Sequence, residues 1–515
     1  MSRLRALLLS LTLATLACNT LFPRDPVPPT SDDAPATVTR TPLAEVTEER
    51  DPVPAPSDTP EGAGPSLDPT PVSVATPEPP PSGVRACDYD PLLSAPAEMP
   101  ADVLLAATPT PFVVEQPANA AVEAGVTERQ LSIFNDLTGI IRDEYVYIDL
   151  DRLDFPALVD KYDALIRAGL SDDDFYIAMD NLIIELGDEH SDFESPEEVI
   201  AIDEETAGNA NYVGVGVLMQ GLGEANRAVV ILTFPGGSAA EAGVKAHDAI
   251  LAVDGKPILD ENGLLQSELV RGPEGTDVTL TVQTPGQEPY DVTLERRRIS
   301  SSTPVDFCMI PRTRVGYIFL PTLFDDTIPE KMRFAVEALT ADGLLEGLII
   351  DNRQNGGGFS NVVEDVLGLF TDGTQGQFVS RNEERPLRIR GNEIGNSMTV
   401  PLVVLVELET ASFGEIMSGV LQNSGRAQVV GQNTLGNVEV LWGYDFEDGS
   451  RAWIAHDAFA PNGLDVGVWE ETGIVPDVSV PTRWDLFTEA TDPTFPVALQ
   501  LLAEQGAEVP VPVAP

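Results

Sequence analysis

The sequence predicts a multidomain α/β protein in which a β-rich unit separates a helical N-terminal segment from an α/β core. Three patterns carry this prediction. The pattern becomes helical from 127, and apolar residues recur at three- and four-residue spacing in LSIFNDLTGIIRDEYVY at 131–147. Between 211 and 298, short alternating runs lie between turn signals, as β-strands do. From 314 onward, continuous apolar runs such as LVVLV in PLVVLVE alternate with helical stretches, which is typical of a parallel sheet covered on both faces.

The first residues predict export. Arg3 and Arg5 precede an apolar run over 6–17, which is too short to span a bilayer as a permanent helix. The run ends in LATLAC, which resembles a bacterial lipobox, so we expect 1–17 to be a lipoprotein signal peptide and Cys18 to be lipidated. An ordinary signal peptide that contains a cysteine is the alternative. We therefore expect an exported protein, lipid-anchored to the outer face of the cell membrane, with the membrane as one partner.

Composition separates the remaining regions. The segment after Cys18 is rich in proline, threonine and acidic residues, which predicts a disordered linker. Cys87 and Cys308 are left either as a disulfide or as two buried free thiols. The expected order is a disordered linker at 18–84, a poorly defined start at 85–126, an N-terminal helical domain at 127–205, the β-rich domain at 206–300, the α/β core at 301–484 and a C-terminal tail at 485–515.

Charge and metal-ligand spacing exclude several function classes. The chain has 30 basic and 83 acidic residues and a formal net charge of −53. Nucleic-acid phosphates demand basic patches, so we expect no nucleic-acid partner. The sequence has no CxxC, HxxxH or HxxE spacing, and it predicts neither a metal nor a cofactor.

Two strand ends carry the candidate chemistry. The strand LEGLIID is followed by NRQNGGGFS, whose glycine N–H groups could point at an oxyanion. The strand PLVVLVE is followed by LETASFGE, which places Ser412 at the start of a helix, where developing negative charge is favoured. A nucleophile beside amide donors is the arrangement that acyl transfer needs. The serine also needs a base, and the chain offers only three histidines and four lysines: His190, His247, His456, Lys161, Lys245, Lys256 and Lys331.

Several motifs together resemble one family. GDEHS, VGVGV with PGGSAAEAGVKAHDAILAVDG, DNRQNGGG, TASFGEI, VGQNTLG and GIVPDVSV occur in the order of the C-terminal-processing (tail-specific) serine peptidases, relatives of the tricorn protease core. The resemblance covers roughly 127–484. It implies a core of the ClpP/crotonase-like kind at 301–484 and a PDZ domain at 206–300. His247 departs from the pattern, because many members have glycine there.

The resemblance also implies how substrate is held and attacked. A peptide C-terminus would bind the PDZ backbone by strand addition, at Tyr212, Val213, Gly214, Val215 and Gly216. Ser412 would be the nucleophile. The oxyanion donors would be the N–H of Phe413 and that of Gly357 or Gly358.

The base distinguishes two branches of this family. The best-known branch uses a lysine in a TFGKG motif, but here the matching run is NTLGNVEVL, with Asn437 at the lysine position. The chain is therefore similar to the tricorn-like branch, which uses a histidine from the GDxH loop and a late glutamate. That branch implies His190 as base and Glu470 as the carboxylate behind it, with Glu471 as the alternative.

The expected function is a serine endopeptidase that recognises proteins or peptides with exposed C-termini. His456 is the rival base, and Glu415 is expected to support local geometry or to contact a substrate amine. Asn437 suggests one alternative function, a catalytically inactive PDZ-containing lipoprotein that binds peptides.

Overall fold

The computed structural model describes residues 39–40, 83–100, 116–148, 153–188, 190–200, 212–260, 263–299, 302–470 and 472–510. The expected signal peptide, Cys18, Glu471 and almost all of the expected linker lie outside these ranges. Within them, no helix is both long enough and apolar enough to cross a membrane.

The elements follow the predicted order. The helices are α1 Ala124–Glu144, α2 Phe155–Arg167, α3 Asp172–Ile184, α4 Ser238–Glu241, α5 Ile328–Thr340, α6 Ser360–Gly368, α7 Phe413–Asn423 and α8 Thr494–Glu504. The strands are β1 Thr39–Arg40, β2 Asp192–Glu194, β3 Tyr212–Gly214, β4 Val217–Leu222, β5 Arg227–Thr233, β6 Ala249–Val253, β7 Lys256–Pro257, β8 Asp277–Gln283, β9 Tyr290–Glu295, β10 Arg297–Ile299, β11 Asp306–Met309, β12 Val315–Phe319, β13 Gly347–Asp351, β14 Gly373–Val379, β15 Glu384–Ile389, β16 Leu402–Val406, β17 Gln428–Gly431, β18 Val440–Asp445, β19 Arg451–Pro461 and β20 Val478–Ser479.

The N-terminal helices pack on a sheet that belongs to the core. Helices α1 to α3 share one apolar cluster with strands β18 and β19. The Ser171 side chain caps α3 by accepting from the N–H of Asp174 at 3.1 Å, as a serine at this position favours. The chain then turns through the His190 loop into β2, which pairs antiparallel with β19. The loop after α3 is thereby held against the core.

The β-rich unit forms its own sheet and core. Its strand order is β4-β5-β6-β8-β9, with β7 on β6, and β3 pairs separately with β10. The alternating run YVGVGVLMQ at 212–220, which reads as one strand in the sequence, is divided between β3 and β4. Gly216 makes the break with a φ of 80°, and the close approach of Gly237 leaves no space for a side chain there.

The core is the predicted parallel sheet. Its order is β11-β12-β13-β16-β17-β20, and every pair except the antiparallel β11–β12 is parallel. All residues of β12, β13 and β16 are buried, which explains their apolar runs. The expected C-terminal tail is not a simple tail, because α8 buries Phe495 and Leu502 in the cluster on one face of this sheet.

A second sheet and a disulfide complete the core. The second sheet has the order β1-β18-β19-β14-β15, with β2 also on β19, whose residues are all buried. Cys87 and Cys308 form a disulfide with a Cα–Cα distance of 5.1 Å, which decides the pairing that the sequence left open. This disulfide and a β-bridge between Ala86 and Met309 attach the segment at 83–100 to β11.

His247 joins the β-rich unit to the core. Its ring stacks on Trp484 at 4.0 Å, and Nδ1 lies 2.9 Å from the Trp484 carbonyl oxygen. Trp484 in turn donates from Nε1 to the carbonyl oxygen of Val230 at 3.1 Å. Burial lowers the pKa of His247 to about 4. His247 has a φ of 76°, a conformation that favours glycine, so the interdomain contact offsets the backbone strain.

Candidate active site

The two predicted loops begin at the same edge of the core sheet. Strands β13 and β16 are parallel neighbours, with Asp351 opposite Leu405 near their carboxyl ends. The loop at 352–359 follows the first strand, and the loop at 407–412 follows the second. In α/β proteins, functional groups lie preferentially at the carboxyl ends of the strands.

Ser412 lies in a strained turn between β16 and α7. Its φ of 52° and ψ of −127° belong to a region that side chains other than glycine rarely occupy. Strained strand-to-helix turns of this kind present nucleophilic serines in other enzymes. Helix α7 begins at Phe413, so the Phe413 N–H is one of the first amides of a helix and has no acceptor within it.

The glycine loop approaches Ser412 closely. A Cβ added at Gly357 would lie 2.7 Å from the Ser412 Cβ. The N–H of Gly357 donates to Oδ1 of Asn355 at 3.0 Å, so it is engaged. The N–H groups of Gly358 and Phe413 donate to no group that the structure describes. Of the two glycines left open by the sequence, Gly358 therefore retains the available amide.

Side chains of the glycine loop attach it to the serine helix. Asn352 donates from Nδ2 to the carbonyl oxygen of Gly414 and to Oγ of Ser418, both at 2.8 Å. The carbonyl oxygen of Asn355 accepts from the N–H of Ala411 at 3.1 Å. These buried bonds set the distance between the two loops.

Glu415 holds the serine turn from the other side. Its carboxyl group accepts from the N–H of Ser412 at 3.1 Å, Oγ1 of Thr434 at 2.5 Å and the N–H of Gly436 and Asn437 at 2.7 and 2.9 Å. Burial raises the pKa of Glu415 to about 7, although these four bonds oppose that rise. Glu415 thus supports the local geometry, as the sequence led us to expect.

The His190 loop brings the imidazole against a buried carboxylate. Nδ1 of His190 lies 3.3 Å from Oε2 of Glu439, and both side chains are at most 3% exposed. The N–H groups of His190 and Ser191 donate to Oδ1 of Asp188 at 3.0 and 2.5 Å. Nε2 of His190 has no hydrogen-bond partner in the described part of the chain.

The carboxylate beside His190 is a correction to the prediction. We expected Glu470 there, but Glu470 accepts from the N–H of Val438 at 3.1 Å, and Glu439 makes the contact with the imidazole. The expected alternative, Glu471, lies outside the described residues. The sequence signal for Glu439 was a single acidic residue in the otherwise apolar run VEVL.

One short segment, residues 434–439, links the serine to the histidine. Asn437 shares the Glu415 carboxyl group with Ser412, and Glu439, two residues later, contacts His190. No hydrogen bond joins Ser412 directly to His190 among the described residues. Catalytic hydrogen bonds are often long in substrate-free enzymes and shorten when substrate binds.

The rival base is engaged elsewhere. His456 stacks on Trp442 at 3.9 Å, and its Nε2 lies 3.2 Å from Glu144 at the end of α1. All four lysines lie in described ranges, and none has a described contact with Ser412. Lys331, for example, pairs with Asp325 at 3.2 Å.

The predicted peptide-binding residues divide between a strand and a turn. Tyr212, Val213 and Gly214 form β3, which pairs with β10. Val215 and Gly216 form the turn into β4, and their N–H groups donate to no described group. Strand β4 pairs only with β5, so its other edge is open within the described part of the unit.

Parts of the chain match two family models. Residues 314–480 match peptidase family S41, and residues 235–284 match the PDZ domain. A carboxyl-terminal-processing protease of Synechocystis sp. is 30% identical over 349 residues, which cover 64% of this chain and 76% of that protein. The chloroplastic C-terminal processing peptidase of Tetradesmus obliquus is 29% identical over 321 residues, which cover 59% and 68%. Among solved structures, the photosystem II D1 C-terminal processing protease aligns with a TM-score of 0.50 and 26% identity, over 72% of this chain and 97% of that protein.

Proposed function

Because the chain belongs to peptidase family S41, the C-terminal-processing serine peptidases, we propose that Ser412 is its nucleophile, His190 its general base and Glu439 the carboxylate that orients the imidazole. The protein is a serine-type hydrolase of proteins or peptides. The observation that carries the residue assignment is the strained backbone of Ser412, which sits opposite the glycine loop at the start of α7. Such strain persists only where the surrounding contacts impose it.

The first chemical step transfers one proton and forms one bond. Nε2 of His190 accepts the proton of the Ser412 hydroxyl as Oγ attacks the substrate carbonyl carbon. The carbonyl electron pair moves to oxygen during the attack. It returns as the C–N bond breaks, the imidazolium gives its proton to the leaving amine nitrogen, and the acyl group remains on Ser412. A water molecule repeats the sequence and releases the acid. Nε2 has no described partner, so it is free to take this role.

The oxyanion is stabilised by two amides. The N–H of Phe413 is at the positive end of α7, and the N–H of Gly358 comes from the neighbouring strand end. Gly357 contributes by its lack of a side chain, because its own N–H is held by Asn355. Amides fixed by buried loops need no reorganisation as charge develops.

Glu439 sets the tautomer of His190. Its Oε2 accepts from Nδ1–H, which leaves Nε2 unprotonated and directed away from the carboxylate. The same contact stabilises the imidazolium that forms during the reaction. This role replaces the one that the sequence led us to expect for Glu470.

Substrates are proposed to be recognised by their free C-termini. The N–H groups of Val215 and Gly216 can receive a carboxylate, and the open edge of β4 can receive an extended peptide. A peptide with a free C-terminus should have a lower KM than the same peptide amidated at that end. An equal KM for the two peptides would argue against this mode.

A fluorophosphonate probe tests the active site directly. The probe should label wild type at Ser412 and should not label Ser412→Ala, which lacks the nucleophilic oxygen. In peptide hydrolysis, Ser412→Ala and His190→Ala should be about equally slow, with the double variant hardly worse, because the pair acts as one unit. Lys331→Ala is the matched control and should react like wild type. A wild-type protein that binds tail peptides yet is not labelled would be the inactive binding lipoprotein instead.

We also propose that the protein is exported and anchored by a lipid on Cys18. The support is the LATLAC sequence at the end of the short apolar run. The Cys87–Cys308 disulfide agrees with an oxidising compartment.

A further inference from the structure

Only one oxygen of the Glu439 carboxylate has a described partner. Oε2 faces Nδ1 of His190, as described above. Oε1 is buried, and it receives no hydrogen bond from any described residue. Leaving a buried carboxylate oxygen without a donor costs free energy. A donor at this oxygen would hold the carboxylate in the plane that His190 requires.

Glu470 brings a second carboxyl group to this position. Its Oε2 accepts from the N–H of Val438, the residue before Glu439, and the two carboxyl groups are within hydrogen-bonding reach. The loop that carries Glu470 is well fixed, because Trp469 packs against Gly419 of α7. The pairing therefore follows from the packing of that loop on the serine helix.

Two carboxyl groups this close in a buried site are not both ionised. Of the two, Glu439 is the one that faces Nδ1 of His190. Burial, and next the charge of Glu439, raise the pKa of Glu470 well above its usual range, and Glu415 adds to the effect. Asp188 faces Glu439 as well, and burial and Glu439 raise its pKa. The groups around Glu470 are therefore mostly acidic. His190 is a cation there only when its imidazole is protonated.

We propose that Glu470 is a neutral positioning residue, which donates its carboxyl proton to Oε1 of Glu439 and so keeps the Glu439 carboxylate aligned with His190. This inference rests on the triad proposed above. Each oxygen of the Glu439 and Glu470 carboxyl groups then has a partner. Oε2 of Glu470 accepts from Val438, its protonated oxygen donates to Glu439, and Glu439 accepts from His190 through its other oxygen.

Three variants distinguish a neutral donor from an ionised carboxylate. Glu470→Gln keeps an acceptor for the Val438 N–H and an NH2 donor for Glu439, so its rate of fluorophosphonate labelling should equal that of wild type. Glu470→Leu keeps the volume without a donor, and it should react about ten- to a hundredfold more slowly, the effect of one hydrogen bond to a charged group. Glu439→Gln should be slower still, because it removes the charge that orients His190.

The pH profile and the infrared spectrum give readouts that a purely structural role would not change. Wild type should lose activity on fluorescent casein at alkaline pH as Glu470 ionises, and Glu470→Gln should not show that loss. The wild-type spectrum should contain the C=O band of a protonated carboxyl group that is missing from Glu470→Gln. Absence of this band in wild type would overturn the proposal, even if Glu470→Leu failed to fold.

The other outcomes separate this inference from the proposed function. Labelling of Glu470→Gln as slow as that of Glu439→Gln would mean that an ionised Glu470 is required, and would overturn the inference. Labelling of Glu470→Leu at the wild-type rate would also overturn the inference. Failure of the proposed function looks different, since wild type itself would then not be labelled at Ser412. A cooperative melting transition near the wild-type temperature in every variant controls for folding of the core.

Discussion

Replacing Gly357 with alanine would place a methyl group against the proposed nucleophile. The new Cβ would lie 2.7 Å from the Ser412 Cβ and 3.2 Å from the Phe413 nitrogen. Carbon atoms in contact rest at about 3.5–4.0 Å, so one of the two loops must move by roughly 1 Å. A misplacement of about 1 Å can cost about 10²-fold in rate, which is about 2.7 kcal/mol of activation free energy. We expect Gly357→Ala to lose about this much.

Gly506 supplies the matched control. Its φ of 104° is almost that of Gly357, 106°, but a Cβ added there meets no atom within 4 Å. Alanine at either position carries the same kind of backbone strain, about 1–2 kcal/mol. Gly506→Ala should therefore lower the thermal stability and leave the activity unchanged. The difference in activity between the two variants isolates the contact with Ser412 from the strain.

The assay is the second-order rate of fluorophosphonate labelling, with casein hydrolysis in parallel and the melting temperature as a folding check. Gly357→Ala should fall in both rates while it keeps a cooperative melting transition. Labelling of Gly357→Ala at the wild-type rate would refute the reasoning, because it would mean that the glycine loop does not set the position of Ser412. A loss of the same size in Gly506→Ala would show that general destabilisation is responsible.

Three further predictions concern parts of the chain away from Ser412. The pKa of His247 is lowered from 6.5 to about 4, so the folded protein should lose up to about 3 kcal/mol of stability as the pH falls from about 6.5 to about 4. His247→Phe should lack this loss in pH-dependent thermal melts. An identical loss in His247→Phe would contradict the prediction. The Cys87→Ser/Cys308→Ser double variant should lose up to about 5 kcal/mol in urea unfolding, because the disulfide spans 221 residues, and an unchanged midpoint would refute a structural role. Cys18→Ser should move the protein from the detergent phase to the aqueous phase, and unchanged partitioning would exclude the lipid anchor.

Local patterns in the sequence were sufficient to predict the architecture and the position of Ser412 between a strand and a helix. Periodicity separates helices from strands because each has its own repeat, so the apolar runs of β13 and β16 could be identified as buried parallel strands. The position of Ser412 follows from the same pattern, since a strand run and a helical run meet at that residue. The order of motifs added the family and the histidine loop, because those signals are also contained in short stretches of chain.

Contacts between distant segments were decided only by the tertiary structure. Glu439 and Glu470 both lie in short segments of the core, and neither segment's sequence indicates which glutamate faces His190. That choice depends on how the loop around Trp469 packs on α7. The choice of Gly358 over Gly357 likewise depends on where the Asn355 side chain points. Sequence periodicity reports which side of an element is buried, but not which atoms of another element meet it there. Hydrogen bonds require specific atoms within about 3 Å of each other, and folding alone brings such atoms together.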